Sequence, residues 1–214
     1  MDALVVLAAE SSVGRAVAEA ALMTRLPVIA VSTCYRTLTR LRLNHPEANL
    51  TILLGSIVDE RSLAWLAADL RRLNRKLSGV IAPICVQSQP YRGKDGGTSE
   101  PLHGMDLTIR QHASAAKLLA PLLADGRGAR SYLVIREHIE RVDSASPGGL
   151  ASERVAPQSL ARKLRKEVSS TAATVRFRST KVPAMTGDTP TQRAHWRAAV
   201  GSRAISLLRG AVSR

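Results

Sequence analysis

Six short apolar runs recur along the chain, and between most of them the apolar residues fall at helical spacing. That alternation constrains the fold more than any other feature, because strands apolar at every residue must be covered on both faces. It implies an α/β chain with a parallel sheet joined by crossover helices. The expected strands are Leu4–Ala9, Pro27–Ser32, Leu50–Leu54, Gly79–Cys85, Ser131–Ile135 and Ala173–Phe177. Helical spacing predicts a helix over Ser12–Met23, with Val13, Ala16, Val17 and Ala20 on one face. A second covers Ser62–Leu73, with Leu63, Leu66 and Leu70 inward, and three more cover Asp106–Leu123, Ser152–Val168 and about Gln192–Leu208. Pro157 lies near the start of the fourth, where a missing N–H costs least. Gly, Pro and Ser accumulate between Gln87 and Gly104, which marks a surface loop.

A length of 214 residues with 45% apolar content suits one domain, 1–214, with one sizeable core. No apolar run approaches the roughly 18 residues of a membrane span. Met1–Ala9 carries Asp2 and no basic leader, so a cytoplasmic protein with no membrane association is expected. Cys34 and Cys85 form neither a disulfide framework nor a metal-ligand spacing and are expected as free thiols. The histidines His45, His103, His112, His138 and His195 are dispersed, lack the i, i+4 spacing of metal ligands, and are expected at the surface or in loops. No metal is expected.

Thirty-one Lys and Arg against 17 Asp and Glu give a net charge of +14. From Ala151 onward 13 basic residues face only 3 acidic ones. A solvated basic face explains this asymmetry, and so does an anionic partner. Nucleic acid is the weaker choice, because 3% aromatic content leaves few stacking platforms and no helix-turn-helix, zinc or aromatic-basic signature is present.

Particular residues add to the pattern. Ser11-x-x-Gly14-Arg15-Ala16-x-Ala18-Glu19-Ala20, Val58-Asp59-Glu60-x-Ser62 and Leu77-Ser78-Gly79-Val80-Ile81 stand in order, followed by Leu118-Leu119-x-Pro121-Leu122-Leu123 and Ser159-Leu160-Ala161-Arg162-x-Leu164-Arg165-x-Glu167. In order and spacing, from residue 2 to about 185, they resemble the scaffold of the short-chain dehydrogenase/reductase family. The resemblance implies a Rossmann-like, doubly wound parallel sheet flanked by helices. It also implies an NAD or NADP site at the first strand–helix turn.

The functional motifs of that family are altered. Its T-G-x-x-x-G-x-G loop aligns with Leu7 to Gly14, placing Ala8 and Ser12 at the first two glycines and keeping only Gly14. The last glycine serves helix–strand packing, whereas the lost ones let backbone approach a pyrophosphate. Glu10 lies in the same turn. A carboxylate about 5 Å from a phosphate charge, at an effective dielectric near 20, costs on the order of 3 kcal/mol, roughly a hundredfold in affinity. Glu10 could instead turn into solvent or cap the helix through its dipole. The acidic position after the third strand aligns with Ser56, and N-N-A-G after the fourth aligns with Ala82-Pro83-Ile84-Cys85, where Pro83 has no N–H to donate. Arg36 could pair with a 2′-phosphate or be a solvated charge.

The family's catalytic Tyr-x-x-x-Lys pair falls on Leu150 and Arg154, its serine on Arg136 and its asparagine on Thr108. Leu150 has no proton to give, and Arg154 keeps a charge with a different donor geometry. The tyrosines Tyr35, Tyr91 and Tyr132 are not followed by a lysine four residues on. Glu137 and His138 beside Arg136 are the remaining acid/base candidates.

Three functions follow from these residues. The leading one is a catalytically inactive relative without cofactor, acting as scaffold, partner subunit or regulator. Its partner would be a protein, either a second copy or an active homologue, engaged through Asp106–Leu123 and Ser152–Val168. The second is an NAD(P)H-dependent, ketoreductase-like oxidoreductase with an atypical site, and the third is a regulator that binds nucleic acid or another polyanion. If the basic third of the chain is only a solvated face, DNA binding is expected to be weak, independent of sequence, and lost between about 50 and 200 mM salt in an anisotropy titration. A tight, sequence-selective complex at the higher salt would contradict this.

Overall fold

Strand β1 (Ala3–Val6) is buried at every residue and paired on both sides, so it lies at the centre of the fold. In chain order it is followed by α1 (Ser12–Met23), β2 (Val28–Ser32), α2 (Tyr35–Asn44), β3 (Leu50–Leu54), α3 (Glu60–Arg72) and β4 (Leu77–Ile84). Then come α4 (Pro101–Ala124), β5 (Arg130–His138), β6 (Val175–Pro183) and α5 (Pro190–Arg209). This computed structural model describes residues 2–84, 101–124, 130–138, 162, 165, 166, 175–183, 185 and 189–209.

All six strands are parallel, in the order β3-β2-β1-β4-β5-β6. Side-chain alternation divides the buried residues into two cores. Val5, Val80, Tyr132 and Phe177 face α3 and α4, while Leu4, Val6, Ile81 and Leu133 face α1, α2 and α5. The expected doubly wound sheet is therefore observed. At the bottom of the sheet an ion pair between Asp2 and Arg130 ties the segment before β1 to the start of β5.

Local chemistry fixes the helix starts. Ser11 caps α1 by accepting from the Gly14 N–H at 3.0 Å, and Asp59 caps α3 by accepting from Ser62 N–H at 2.8 Å. At α5, Thr189 and Gln192 form a reciprocal capping box: the Gln192 N–H donates to Thr189 Oγ1 at 3.2 Å, and the Thr189 N–H donates to Gln192 Oε1 at 3.1 Å.

Several boundaries differ from the sequence expectation. The first strand ends at Val6 rather than Ala9, because Ala8 adopts a left-handed φ of 48° that no strand can contain. Helix α2 is an element that apolar spacing did not announce, since only Leu38 and Leu41 anchor it. Helix α4 begins at Pro101, so the expected loop stops short of Gly104. Strands β5 and β6 pair over nine positions, which places Glu137 and His138 in a strand and carries β6 well beyond Phe177. The expected helix Ser152–Val168 lies outside the described residues except for Arg162, Arg165 and Lys166, which are helical and exposed.

Helix α5 crosses α1 at Gly201, where a Cβ would run into the Ala20 methyl and the Ala16 carbonyl. Overpacking of this kind costs about 1–3 kcal/mol, more than the few tenths that valine gains over glycine in helix propensity. We expect Gly201→Val to lower the unfolding free energy by about 2 kcal/mol, read from the urea midpoint at an unchanged slope.

Candidate functional site

In an open parallel sheet the crevice lies beyond the carboxyl ends of the strands, where the strand order reverses. Here that point lies between β1 and β4. The turn after β1 forms one wall, the end of β4 the other, and the end of β5 lies one strand further on.

The turn is anchored to both neighbouring strands: Leu7 N–H donates to the Ile81 carbonyl at 2.9 Å, and Ala9 N–H to the Val31 carbonyl at 2.8 Å. Ala8 takes the left-handed conformation that suits glycine, at a cost on the order of 1 kcal/mol. Its carbonyl accepts from the Ser11 N–H at 2.9 Å and from the Ser11 hydroxyl at 2.8 Å. A Cβ on Gly14 would collide with that same carbonyl and stand 2.9 Å from Ser11 Oγ. Gly14 is thus fixed by the approach of α1 to the turn, as its alignment implied.

Glu10 and Ser12 are exposed on this turn. Ser11, not Glu10, caps the helix. The Glu10 carboxylate accepts from the Thr33 hydroxyl at 3.3 Å, which sets it over the carboxyl edge between β1 and β2. Beside it, Cys34 is exposed at the start of α2, and hydrogen bonds from Thr37 hold its thiol below the usual cysteine range. Arg36 is exposed on the first turn of α2, and Ser56 Oγ accepts from the Val58 N–H at 3.0 Å.

On β4, Ile81 gives its carbonyl to the β1 side, so two residues later Pro83 also faces β1, beyond its last strand residue. The proline therefore presents no donor to the crevice. Arg136 is half-buried at the end of β5, in register with Ile84 of β4 and Lys181 of β6. It stands two strands, roughly 10 Å, from β1. Thr108 lies in α4 by its backbone. Leu150, Arg154, Tyr91, Cys85 and His103's side chain lie outside what is described. The structure thus gathers Ala8, Glu10, Ser12, Gly14, Pro83 and Arg136 along one edge of the sheet.

Of the two described tyrosines, Tyr35 and Tyr132, neither is on the turn after β1 or at the end of β4. Tyr35 is exposed on α2. Tyr132 points into the α3/α4 core, its ring centroid 5.8 Å from that of Phe177, and burial raises its hydroxyl above the ordinary tyrosine range. His112 also departs from expectation: it is buried on α4, only 3% exposed, with no partner at Nδ1. Its helical spacing from Ala115, Ala116 and Leu119 was the available signal.

No protein-family model and no curated protein matches the sequence. Solved structures do match. An alcohol dehydrogenase from the archaeon Thermococcus sibiricus, complexed with 5-hydroxy-NADP, is 14% identical with a TM-score of 0.69, over 98% of this chain and 91% of that one. A short-chain dehydrogenase/reductase from Burkholderia phymatum in complex with NAD is 13% identical with a TM-score of 0.68, over 98% and 86%. A short-chain dehydrogenase from Mycobacterium smegmatis gives 14%, a TM-score of 0.66, and coverage of 97% and 85%. The chain has the fold of the short-chain dehydrogenases/reductases. Among the described residues no helix is long and apolar enough to cross a membrane.

Burial holds the His112 pKa down to about 4, against 6.5 for a free histidine. Its contribution to stability is complete above about pH 6.5 and is lost as the pH falls towards 4, because the unfolded chain takes the proton first. The span corresponds to about 3 kcal/mol. We expect His112→Leu to flatten the unfolding free energy between pH 6.5 and 4, measured by denaturant titration at successive pH values.

Proposed function

We propose that the chain is a non-catalytic member of this fold, working as a scaffold, partner subunit or regulator through association with another protein. The reading rests chiefly on the carboxyl edge of the sheet. Two of the similar solved structures are complexes with 5-hydroxy-NADP and with NAD. At the carboxyl edge beside the switch point, where an open sheet of this kind takes a dinucleotide, this chain sets an exposed carboxylate, Glu10.

The residues present do not fit a dinucleotide. The Ser11 hydroxyl takes the Gly14 amide, a donor that a phosphate would otherwise use. Glu10 adds negative charge beside it, and Pro83 supplies no donor opposite. In the alignment Leu150 falls on the family's proton donor and Arg136 on its serine. The family's proton-donor and serine positions are thus replaced, which leaves Glu137 and His138 of β5 as the acid/base candidates for cofactor-dependent reduction.

For association, the partner is a second copy of the chain or an active relative of the same fold. Helix α4 is the described part of the proposed interface. Its Leu118 and Leu122 are only partly buried against the core, and Arg110 and Lys117 are exposed on it.

Isothermal titration with NADH and with NADPH should show no binding at micromolar concentration. A dissociation constant below about 10 μM, in the ordinary range for such complexes, would overturn the proposal in favour of an oxidoreductase with an altered site. Light scattering on the same sample should give a dimer or larger assembly, or else co-purification with an active reductase should reveal a mixed one. A monomer in both experiments would remove the association half of the reading.

A further inference from the structure

Helix α2 lies at the β3 edge of the sheet and is anchored by two residues, Leu38 and Leu41. At about 100° per residue, the opposite side carries Tyr35, Thr39 and Leu43 in one row and Arg36, Arg40 and Asn44 in the next. These six residues border one shallow groove. Tyr35 is 62% exposed and Leu43 is 72% exposed, two large apolar groups on a ten-residue helix with no covering element in the described structure.

The charge on this helix is of one sign. It contains Arg36, Arg40 and Arg42 and no acidic residue. Arg42 is engaged by the Leu50 carbonyl at 2.7 Å. Arg36 and Arg40 are exposed, and neither pairs with a carboxylate among the described residues.

We propose that this face of α2 docks an acidic amphipathic helix of a partner protein. The assignment rests on the reading of the chain as one that acts by association, and it names a surface separate from α4. Arg36 and Arg40 stand one turn apart, about 6 Å along the axis, and match carboxylates spaced i, i+4 on a facing helix. Tyr35 and Leu43 stand about 12 Å apart and match apolar residues two turns apart on the same helix. A nucleic-acid backbone would use the arginines and leave Leu43 without a counterpart. A second copy docking α2 on α2 would bring guanidinium groups together with no carboxylate between them.

The test uses the full chain and a fluorescein-labelled synthetic helix of about four turns, with leucines on one face and glutamates at i, i+4 beside them. Controls are the same composition with the leucines scattered, a labelled single-stranded oligonucleotide, and phosphatidylserine-containing vesicles. The amphipathic peptide should bind most tightly. Arg40→Glu and Leu43→Ser should each weaken it about fivefold or more, through the ion pair and through apolar burial respectively, with unchanged circular dichroism.

Equal binding of the scattered peptide, or affinity unchanged in either variant, would overturn the assignment. So would tighter binding of the oligonucleotide or vesicles. Oligomeric state and dinucleotide titration measured on Arg40→Glu separate the two levels. Association retained with the peptide lost from both variants and wild type removes only the α2 surface. Dinucleotide binding by a monomer that still takes the peptide removes the proposed function and leaves the surface standing.

Discussion

Everything in this molecule is hung on the burial of β1 from four directions. Its two edges are hydrogen-bonded to β2 and β4, and its two faces are covered by separate cores. A strand in that position cannot tolerate a polar side chain, because each such group would have to find a partner where none exists. Once β1 is central and every neighbour is parallel, each connection must return across a face of the sheet. Helices on both sides, a reversal of strand order beside β1, and a crevice at the carboxyl edge are consequences of that one placement.

The scaffold and the chemistry of the fold place separate demands on the chain. Gly14 is held by steric necessity, since any side chain there would strike the Ala8 carbonyl and push α1 away from the turn. Ala8 shows the other side of the same rule: the backbone keeps the glycine-like geometry, and the residue bears a modest strain to do so. Nothing in the pairing of β4 with β1 and β5 requires a donor at Pro83. A chain of this fold can therefore keep its stability while its reaction edge changes completely.

That separation also decides what was legible in the sequence. The order of strands and the two-sided sheet could be read because fully apolar strands and amphipathic helices have different periods. Helix α2 was hidden because Tyr35 and Leu43, apolar but exposed, blur its periodicity and leave only Leu38 and Leu41 to mark it. The added length of β6 was hidden for another reason: Arg176, Arg178 and Lys181 alternate with Phe177, Thr180 and Val182, so its polar positions resemble loop. At the site, the loss of the loop glycines was plain from spacing. The placement of Glu10 was not, because it depends on Thr33, 23 residues away. His112 was misjudged because a lone polar residue on an apolar face reads as surface until its neighbours are known.

The Gly201 crossing bears on how the chain is made. The first helix, α1, and the last described helix, α5, lie against each other so closely that at Gly201 there is no room for a side chain beside the Ala20 methyl and the Ala16 carbonyl. Strand β1 likewise needs β4, more than 70 residues later, before its second edge is closed. On the ribosome, β1 and α1 therefore emerge with their docking surfaces bare and must wait until β4 and α5 have followed. A run of small residues such as Ala16, Ala18, Ala20 and Ala21 suits that delay: it can lie against a late helix at close range while offering little grip to a wrong partner beforehand.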